Sequence, residues 1–307
     1  MTNAIAQKYH NLSLLGRKAI EYGISSFDGD SLWCVSFETK NWGDWLNKPL
    51  IEKVTGKPVQ IFHVNHLAIL NGIRRISPGR PTFTAIGSIM HFAPDDSFIW
   101  GTGCVWDSKL SIKPSAILSV RGPLTADVLA AQGFEQPSLF GDPALLLEKY
   151  LPPAAHVSKR YALGVIPHHS EWAQPAIKAF QGMSDVRLID IEGDQETLIS
   201  QIRECECIFS SSLHGLILSD ILQVPNAWVR FRAAFPGENF KFNDYYMSLN
   251  GNQSHRNWLV PHMLKPDAID SALIKKISSE ARPHEHRINL DSVEGVLLEH
   301  LYRIGIR

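Results

Sequence analysis

Two ionisable residues sit where an α/β fold can put them to chemical use. His214 lies in Ser210-Ser211-Ser212-Leu213-His214-Gly215, between the apolar run 207–210 and a helical pattern. In that pattern Leu213, Leu216, Ile217 and Ile221 recur at the spacing of one buried face. A strand that feeds a helix in this way leaves its carboxyl end at the ligand-binding rim of an open parallel sheet. Any of the three serines can cap the helix, and histidine is the side chain best suited to moving a proton near neutral pH. The alternative is a histidine satisfied by a backbone group at a helix start. Arg121 ends the apolar run 116–120 and precedes Gly122-Pro123, where proline suits the first position of a helix. A guanidinium beside free helix amides can grip a phosphate or carboxylate in two-pronged fashion. A surface arginine paired with an acid is the plainer account.

Weaker candidates surround these two. In Asn41-Trp42-Gly43-Asp44, after the first predicted strand, Asn41 or Asp44 can cap a helix while Gly43 holds the turn open. Gly101-Thr102-Gly103 also follows a strand, and its glycines permit either a tight turn or close backbone approach to a ligand. Trp106 stands where the third glycine of a dinucleotide fingerprint belongs, which argues against a nicotinamide cofactor. His168-His169, His284 and His286 are metal-ligand types without a matching carboxylate pattern, so solvated loop histidines are the simpler reading. Lys241 is a cation among aromatics in Phe240-Lys241-Phe242-Asn243-Asp244-Tyr245-Tyr246, read as irregular, and its stem can simply cover apolar surface. No Gly-x-Ser-x-Gly elbow, Walker lysine loop or His-Glu-x-x-His occurs, which removes the commonest hydrolase, NTPase and zincin readings.

The elements that must position these residues follow from the hydrophobic pattern. Strand-like runs at 32–37, 61–64, 82–86, 98–100 and 116–120 alternate with turns and helical stretches, which predicts an α/β sheet. A helix over 123–132 closes at Gly133. Beyond the proline-containing stretch 151–155, a stiff linker and domain boundary, the alternation restarts. Strands at 161–166, 186–189, 207–210 and 226–229 are separated by helices at 171–180, 196–203 and from His214 to Val224-Pro225. Residues 231–261 show weak periodicity, and amphipathic helices near 269–277 and 293–304 finish the chain. A length of 307 residues suits two domains, 1–150 and 151–307.

Thirty Lys+Arg against 31 Asp+Glu leave a net charge of −1, so no global field recruits nucleic acid or an anionic membrane, and any anion must be caught locally. The four cysteines lack zinc-type pairing and read as reduced cytoplasmic thiols. No signal-peptide core or membrane-spanning run is present, so export and membrane insertion are not expected.

Taken in order, six short segments resemble the polysaccharide pyruvyl transferase family: Asn41-Trp42-Gly43-Asp44, Trp100-Gly101-Thr102-Gly103, Ser119-Val120-Arg121-Gly122-Pro123-Leu124-Thr125, Gly141-Asp142-Pro143-Ala144, Ile166-Pro167-His168 and Ser211-Ser212-Leu213-His214-Gly215. The resemblance implies two Rossmann-like domains facing across a cleft in the GT-B manner. Residues 1–150, with Arg121, would form the acceptor side; residues 151–307 would carry His214 and the closing helices. It implies transfer of pyruvate from phosphoenolpyruvate to two hydroxyls of one sugar in a bacterial surface glycan precursor, forming a cyclic ketal.

Family roles carry over to His214 as the catalytic histidine and Arg121 as the anion-binding arginine. A further basic residue belongs downstream, for which Lys241, Arg230 and Arg232 compete. Asn41, Asp44, Gly101, Gly103, Ser211, Ser212 and His168 would line the substrate site. The chemistry requires no metal or redox cofactor, and a lipid-linked acceptor would bring the protein to the inner face of the membrane. The competing readings are a GT-B glycosyltransferase using a nucleotide sugar and a non-catalytic glycan-binding protein whose aromatics stack on sugars.

Overall fold

The computed structural model describes residues 31–37, 40–67, 71, 81–152, 157–249 and 259–306. The expectation for the amino terminus, and most of the 151–155 linker, lie outside these residues. The first sheet consists of β1 (Leu32–Ser36), β2 (Val59–His63), β3 (Thr82–Thr84), β4 (Phe98–Trp100) and β5 (Ala116–Ser119). Its order is β2-β1-β3-β4-β5 and every pairing is parallel. All of β1 is buried, as expected of a parallel strand covered on both faces. The second sheet, β6 (Tyr161–Ile166), β7 (Val186–Leu188), β8 (Cys205–Ser210), β9 (Asn226–Arg230) and β10 (His262–Met263), has the order β10-β9-β8-β6-β7, again parallel.

The two sheets therefore repeat one pattern. In each, the first strand in sequence pairs on one side with the second and on the other with the third, so the chain's winding reverses there. That reversal lies between β1 and β3 in one sheet and between β6 and β8 in the other, and it opens a crevice at the strands' carboxyl ends.

Capping chemistry places the helices. α1 (Trp42–Thr55) begins at Asn41, whose side chain accepts from the Gly43 amide, and ends at Gly56 in the left-handed region. α2 (Pro123–Ala130) opens on proline, as the sequence predicts. After α3 (Leu147–Tyr150) come α4 (Pro175–Phe180), α5 (Gln195–Arg203) and α6 (Leu213–Ile221). The helix expected from residue 171 starts at Pro175, because residues 169–171 form a separate 3-10 turn.

The larger correction is α7 (Phe240–Leu249), a helix inside the stretch read as irregular. Nine of its ten residues are buried, so it shows no polar stripe by which periodicity could reveal it. α8 (Ser271–Glu280) and α9 (Leu290–Arg303) complete the chain.

The halves share a buried interior. One apolar cluster runs from Leu32, Trp42 and Phe83 through Trp100 and Leu145 to Ile166, Leu216 and Tyr245. α9 returns to the first half, where Trp100 Nε1 donates to Val293 O (2.8 Å) and Lys149 pairs with Asp291 (2.6 Å). Among the described residues, no helix is long and apolar enough to cross a membrane.

A buried carboxylate fastens α7 to α2. Asp244 accepts from the Thr125 amide (2.9 Å), Thr125 Oγ1 (2.7 Å) and Arg121 Nε (3.0 Å). It thereby caps α2 from another part of the chain, where Gly122 supplies no side-chain cap. A Cβ on Gly122 would lie 1.9 Å from Asp244 O, so only glycine permits this approach. Both members of the ion pair are fully buried. Asp244→Ala would leave the Arg121 charge unpaired in the interior, and the unfolding free energy from denaturant titration should fall by ~3–5 kcal/mol. A loss below about 1 kcal/mol, the worth of an exposed pair, would show that the contact fastens nothing.

Candidate functional site

Both switch points contribute to one cavity of about 300 Å³. From the first sheet come Phe37, Asn41 and Asp44 after β1, and Gly87 and Ser88 after β3; from the second come His168 and His169 after β6, and Ser212, Leu213 and His214 after β8. Val105 and Lys241 complete the wall. Among the predicted residues, Asn41, Asp44, His168, Ser212, His214 and Lys241 are thus brought together.

His214 stands in the first turn of α6. Ser212 is the cap residue but makes no side-chain capping bond, so the first-turn amides beside the cavity are left without one. Ser210 is used differently from a cap: its hydroxyl donates to Ile166 O (3.1 Å) and accepts from the Ser212 amide (3.0 Å), tying the turn to the end of β6. Gly215 makes this possible, since a Cβ there would lie 2.4 Å from Ser210 Oγ. The imidazole packs against the start of α1, with the Trp42 ring edge-on at 6.2 Å. A Cβ on Gly43 would fall 2.1 Å from its Nδ1 and Cε1. Gly43 is therefore the space into which the ring fits. Its Nε2 is buried and has no hydrogen-bond partner among the described residues. Burial, then the charges of Arg121 and Lys241, lowers the His214 pKa to about 3 and keeps the ring neutral.

Lys241 comes from α7, one turn ahead of Asp244. Its ammonium lies 5.3 Å from the Phe242 ring centroid and makes no ion pair with a described carboxylate. Burial, reinforced by Arg121, lowers its pKa to about 8. His168 donates its backbone amide to Ser211 Oγ (2.9 Å), holds Ser170 Oγ at 2.8 Å through Nδ1 and lies against the His169 ring. Desolvation, then the Lys241 charge, lowers its pKa to about 3.

The other expected contacts do not line this cavity. Arg121 is not open at a strand end: it is fully buried, with Nε on Asp244, one terminal nitrogen on Ser88 Oγ (2.5 Å) and the other on Cys104 O (2.8 Å). It stands behind the cavity wall, reaching it through Ser88. Gly101 serves packing, because a Cβ there would meet Pro143 at 2.3 Å; Gly103 leaves room for the Arg121 guanidinium, 2.4 Å from such a Cβ. Ser211 donates to Glu171 and anchors the His168 backbone. Arg230 pairs with Glu238 (2.7 Å) and Arg232 with Glu171 (3.3 Å) and Glu238, so both rivals of Lys241 are already neutralised, and neither lines the cavity. His284 and His286 hold Asp220 and Glu148, at 3.1 and 3.0 Å.

Sequence reading missed Gly87, Ser88 and Asp244. Asn47 of α1 fixes the loop that bears the first two, accepting from the Ile86 amide (2.9 Å) and donating to Ile86 O (3.2 Å). The signal for them was their place just past a strand, usable only once that strand was known to neighbour β1.

The sequence model of the polysaccharide pyruvyl transferases matches residues 97–232, which include Arg121, His168 and His214 but not Lys241 or Asp244. The uncharacterized protein L143 of Acanthamoeba polyphaga mimivirus is 32% identical over 209 residues, 67% of this chain and 69% of that protein. The succinoglycan biosynthesis protein ExoV of Rhizobium meliloti (strain 1021) is 32% identical over 156 residues, 50% of this chain and 46% of ExoV, so the chain spans about half of that relative's length.

The contact between Gly43 and His214 yields a test that separates site from fold. Alanine is the better helix former, so Gly43→Ala should leave α1 intact and the protein folded, at an overpacking cost of ~1–3 kcal/mol where the methyl meets the buried ring. The new methyl must nevertheless displace the imidazole, and turnover should fall by about 10², the scale of a 1 Å misplacement. Undiminished turnover in a folded Gly43→Ala protein would show that the position of this ring is not critical.

Proposed function

The chain belongs to the polysaccharide pyruvyl transferase family, and from that premise we propose that it moves the pyruvyl group of phosphoenolpyruvate onto two hydroxyls of one sugar in a surface glycan precursor, closing a cyclic ketal. The observation that carries this reading is the meeting of an unpaired ammonium, an uncapped helix amino terminus and a neutral histidine in one small cavity. A donor bearing both phosphate and carboxylate calls for two cationic contacts, and Lys241 and the α6 amides offer them. Arg121 acts from behind, adding positive potential and orienting Ser88. The chain's likeness to ExoV, a succinoglycan biosynthesis protein, favours a polysaccharide acceptor. In this reading residues 1–150 and 151–307 are two Rossmann-like domains in a GT-B arrangement. The protein is cytoplasmic, meets a lipid-linked acceptor at the inner membrane face, and uses neither metal nor redox cofactor.

A neutral His214 suits the order of proton transfers. The imidazole takes the proton of the first sugar hydroxyl and delivers it to the donor's methylene carbon, which becomes the methyl group as the hydroxyl oxygen bonds to the central carbon. Phosphate then leaves, and the second hydroxyl closes the ketal while its proton departs with the phosphate. The bound donor's negative charge raises the pKa of the ring and steadies the imidazolium between the two transfers. A volume of about 300 Å³ lies at the small end of ligand sites, which suits a small donor.

Phosphoenolpyruvate should raise the melting temperature in the presence of chelator, more than UDP-sugars at equal concentration. Because the Lys241 pKa is lowered to about 8, its charge is present at pH 7 and is lost as pH rises through that value. Donor affinity should therefore weaken above pH 8 in the wild type and be weaker and flatter with pH in Lys241→Gln. Consumption of a nucleotide sugar with no binding of phosphoenolpyruvate would replace this reading with glycosyl transfer.

His214→Gln should keep the donor-induced rise in melting temperature while losing on the order of 10²–10⁴ in turnover, the usual worth of general acid–base catalysis. Near-normal turnover would move the proton transfer elsewhere, with His168 the next residue to test.

A further inference from the structure

Trp106 follows the cavity-lining Val105 and is 48% exposed. The fold braces this side chain from two sides without covering it. From the second half, Gly237 comes so close that a Cβ on it would lie 3.1 Å from the Trp106 Cβ, and its φ of +79° is a conformation that glycine adopts without strain. From the first half, the His91 ring stands 5.6 Å away, inclined at 40°, and is itself held through Nε2 by Ser108 Oγ at 2.7 Å. A large indole is thus held in place beside the cavity with its apolar surface in water, although the fold gains nothing by leaving it there.

We propose that Trp106 is the platform on which the acceptor's sugar ring stacks. This rests on reading the chain as a pyruvyl transferase that acts on glycans. One face of a pyranose is a patch of C–H groups, while its hydroxyls point outward around the edge. A flat indole can desolvate that patch without stripping water from the hydroxyls. The surroundings suit such a ligand: Asp107 and Lys109 are both exposed beside the tryptophan, so the platform has a polar rim able to accept from and donate to hydroxyls. An acyl chain would gain nothing from those charges. Phe235, 67% exposed and held by the Arg232 guanidinium 4.4 Å from its ring centroid, lies in the segment that carries Gly237 and offers a second apolar surface for a longer glycan.

The test uses methyl glycosides of glucose, galactose and mannose as probes, with wild type, Trp106→Phe and Trp106→Ala. At least one glycoside should change the tryptophan emission of the wild type, and that change should vanish in Trp106→Phe. In turnover with phosphoenolpyruvate, the KM for the best glycoside should rise about 10- to 100-fold in Trp106→Ala, the effect of removing a well-placed aromatic anchor. Trp106→Phe should fall between, with kcat and the donor-induced rise in melting temperature unchanged in both variants. An unaltered KM in Trp106→Ala overturns the platform while leaving pyruvyl transfer standing. An emission change that persists in Trp106→Phe, or a wild-type emission that no glycoside alters, also overturns it. If glycosides perturb Trp106 but phosphoenolpyruvate is neither bound nor consumed, the platform stands and the pyruvyl-transfer reading falls.

Discussion

The buried pair between Arg121 and Asp244 is the constraint around which the site is arranged. Two opposite charges removed from water cost several kcal/mol each, and the attraction between them repays this only when geometry and further hydrogen bonds are good. Here both conditions hold: the carboxylate takes two more hydrogen bonds from Thr125, and the guanidinium gives two more, to Ser88 and Cys104. The pair therefore sets the approach of α7 to α2, the path of the backbone past Gly103 and the orientation of one cavity hydroxyl. Lys241 precedes Asp244 by three residues on the same helix, so the turn that anchors the carboxylate also aims the ammonium.

The same burial decides the charge state of the cavity. Arg121 and Lys241 add positive potential where little water screens it, so protonating a nearby imidazole is unfavourable. Desolvation is the first cause and these charges the second: His214 is held neutral by burial with Arg121 and Lys241 beside it, His168 by burial with Lys241 beside it, and Lys241 holds its proton less firmly than an exposed lysine. Such an arrangement is uncomfortable when empty and relieved by an anion. A small dianion entering the cavity would restore the lysine to full charge and make the imidazolium accessible.

Much of the framework was legible because its causes are local. Pro123 at a helix start, the apolar runs of β1 and β6, and the strand-to-helix step before His214 are each written in a few adjacent residues. The failures share another cause. α7 is buried on nearly all sides, which erases amphipathic periodicity, so the sequence pattern places Lys241 in an irregular stretch and gives no sign of the part Asp244 plays. Arg121 looked open because its partner lies 123 residues away. Gly101 and Gly103 resembled ligand contacts because a glycine that admits a proline ring or a guanidinium has the same sequence signature as one that admits a substrate. Residue types announce that close approach is needed; only the fold says what approaches.

The repetition of one strand order in both sheets gives the proposed chemistry two switch points to draw on. A single switch point offers a crevice, a helix amino terminus and a few loop residues, which suffice to bind one anionic group. The proposed reaction demands more: a donor with two anionic groups, two hydroxyls on one face and a proton carrier between them. The second sheet supplies the histidines and the α6 amides, the first supplies the α1 rim and the Ser88 loop, and Gly43 is where the two interlock, since the His214 ring occupies the space that a side chain there would fill. Separating the halves would do more than open the cavity. It would expose the neutral imidazole to water, remove Arg121 from its neighbourhood and return its pKa toward the ordinary histidine range, so the environment on which the proposed proton transfer relies belongs to the assembled interface rather than to either half.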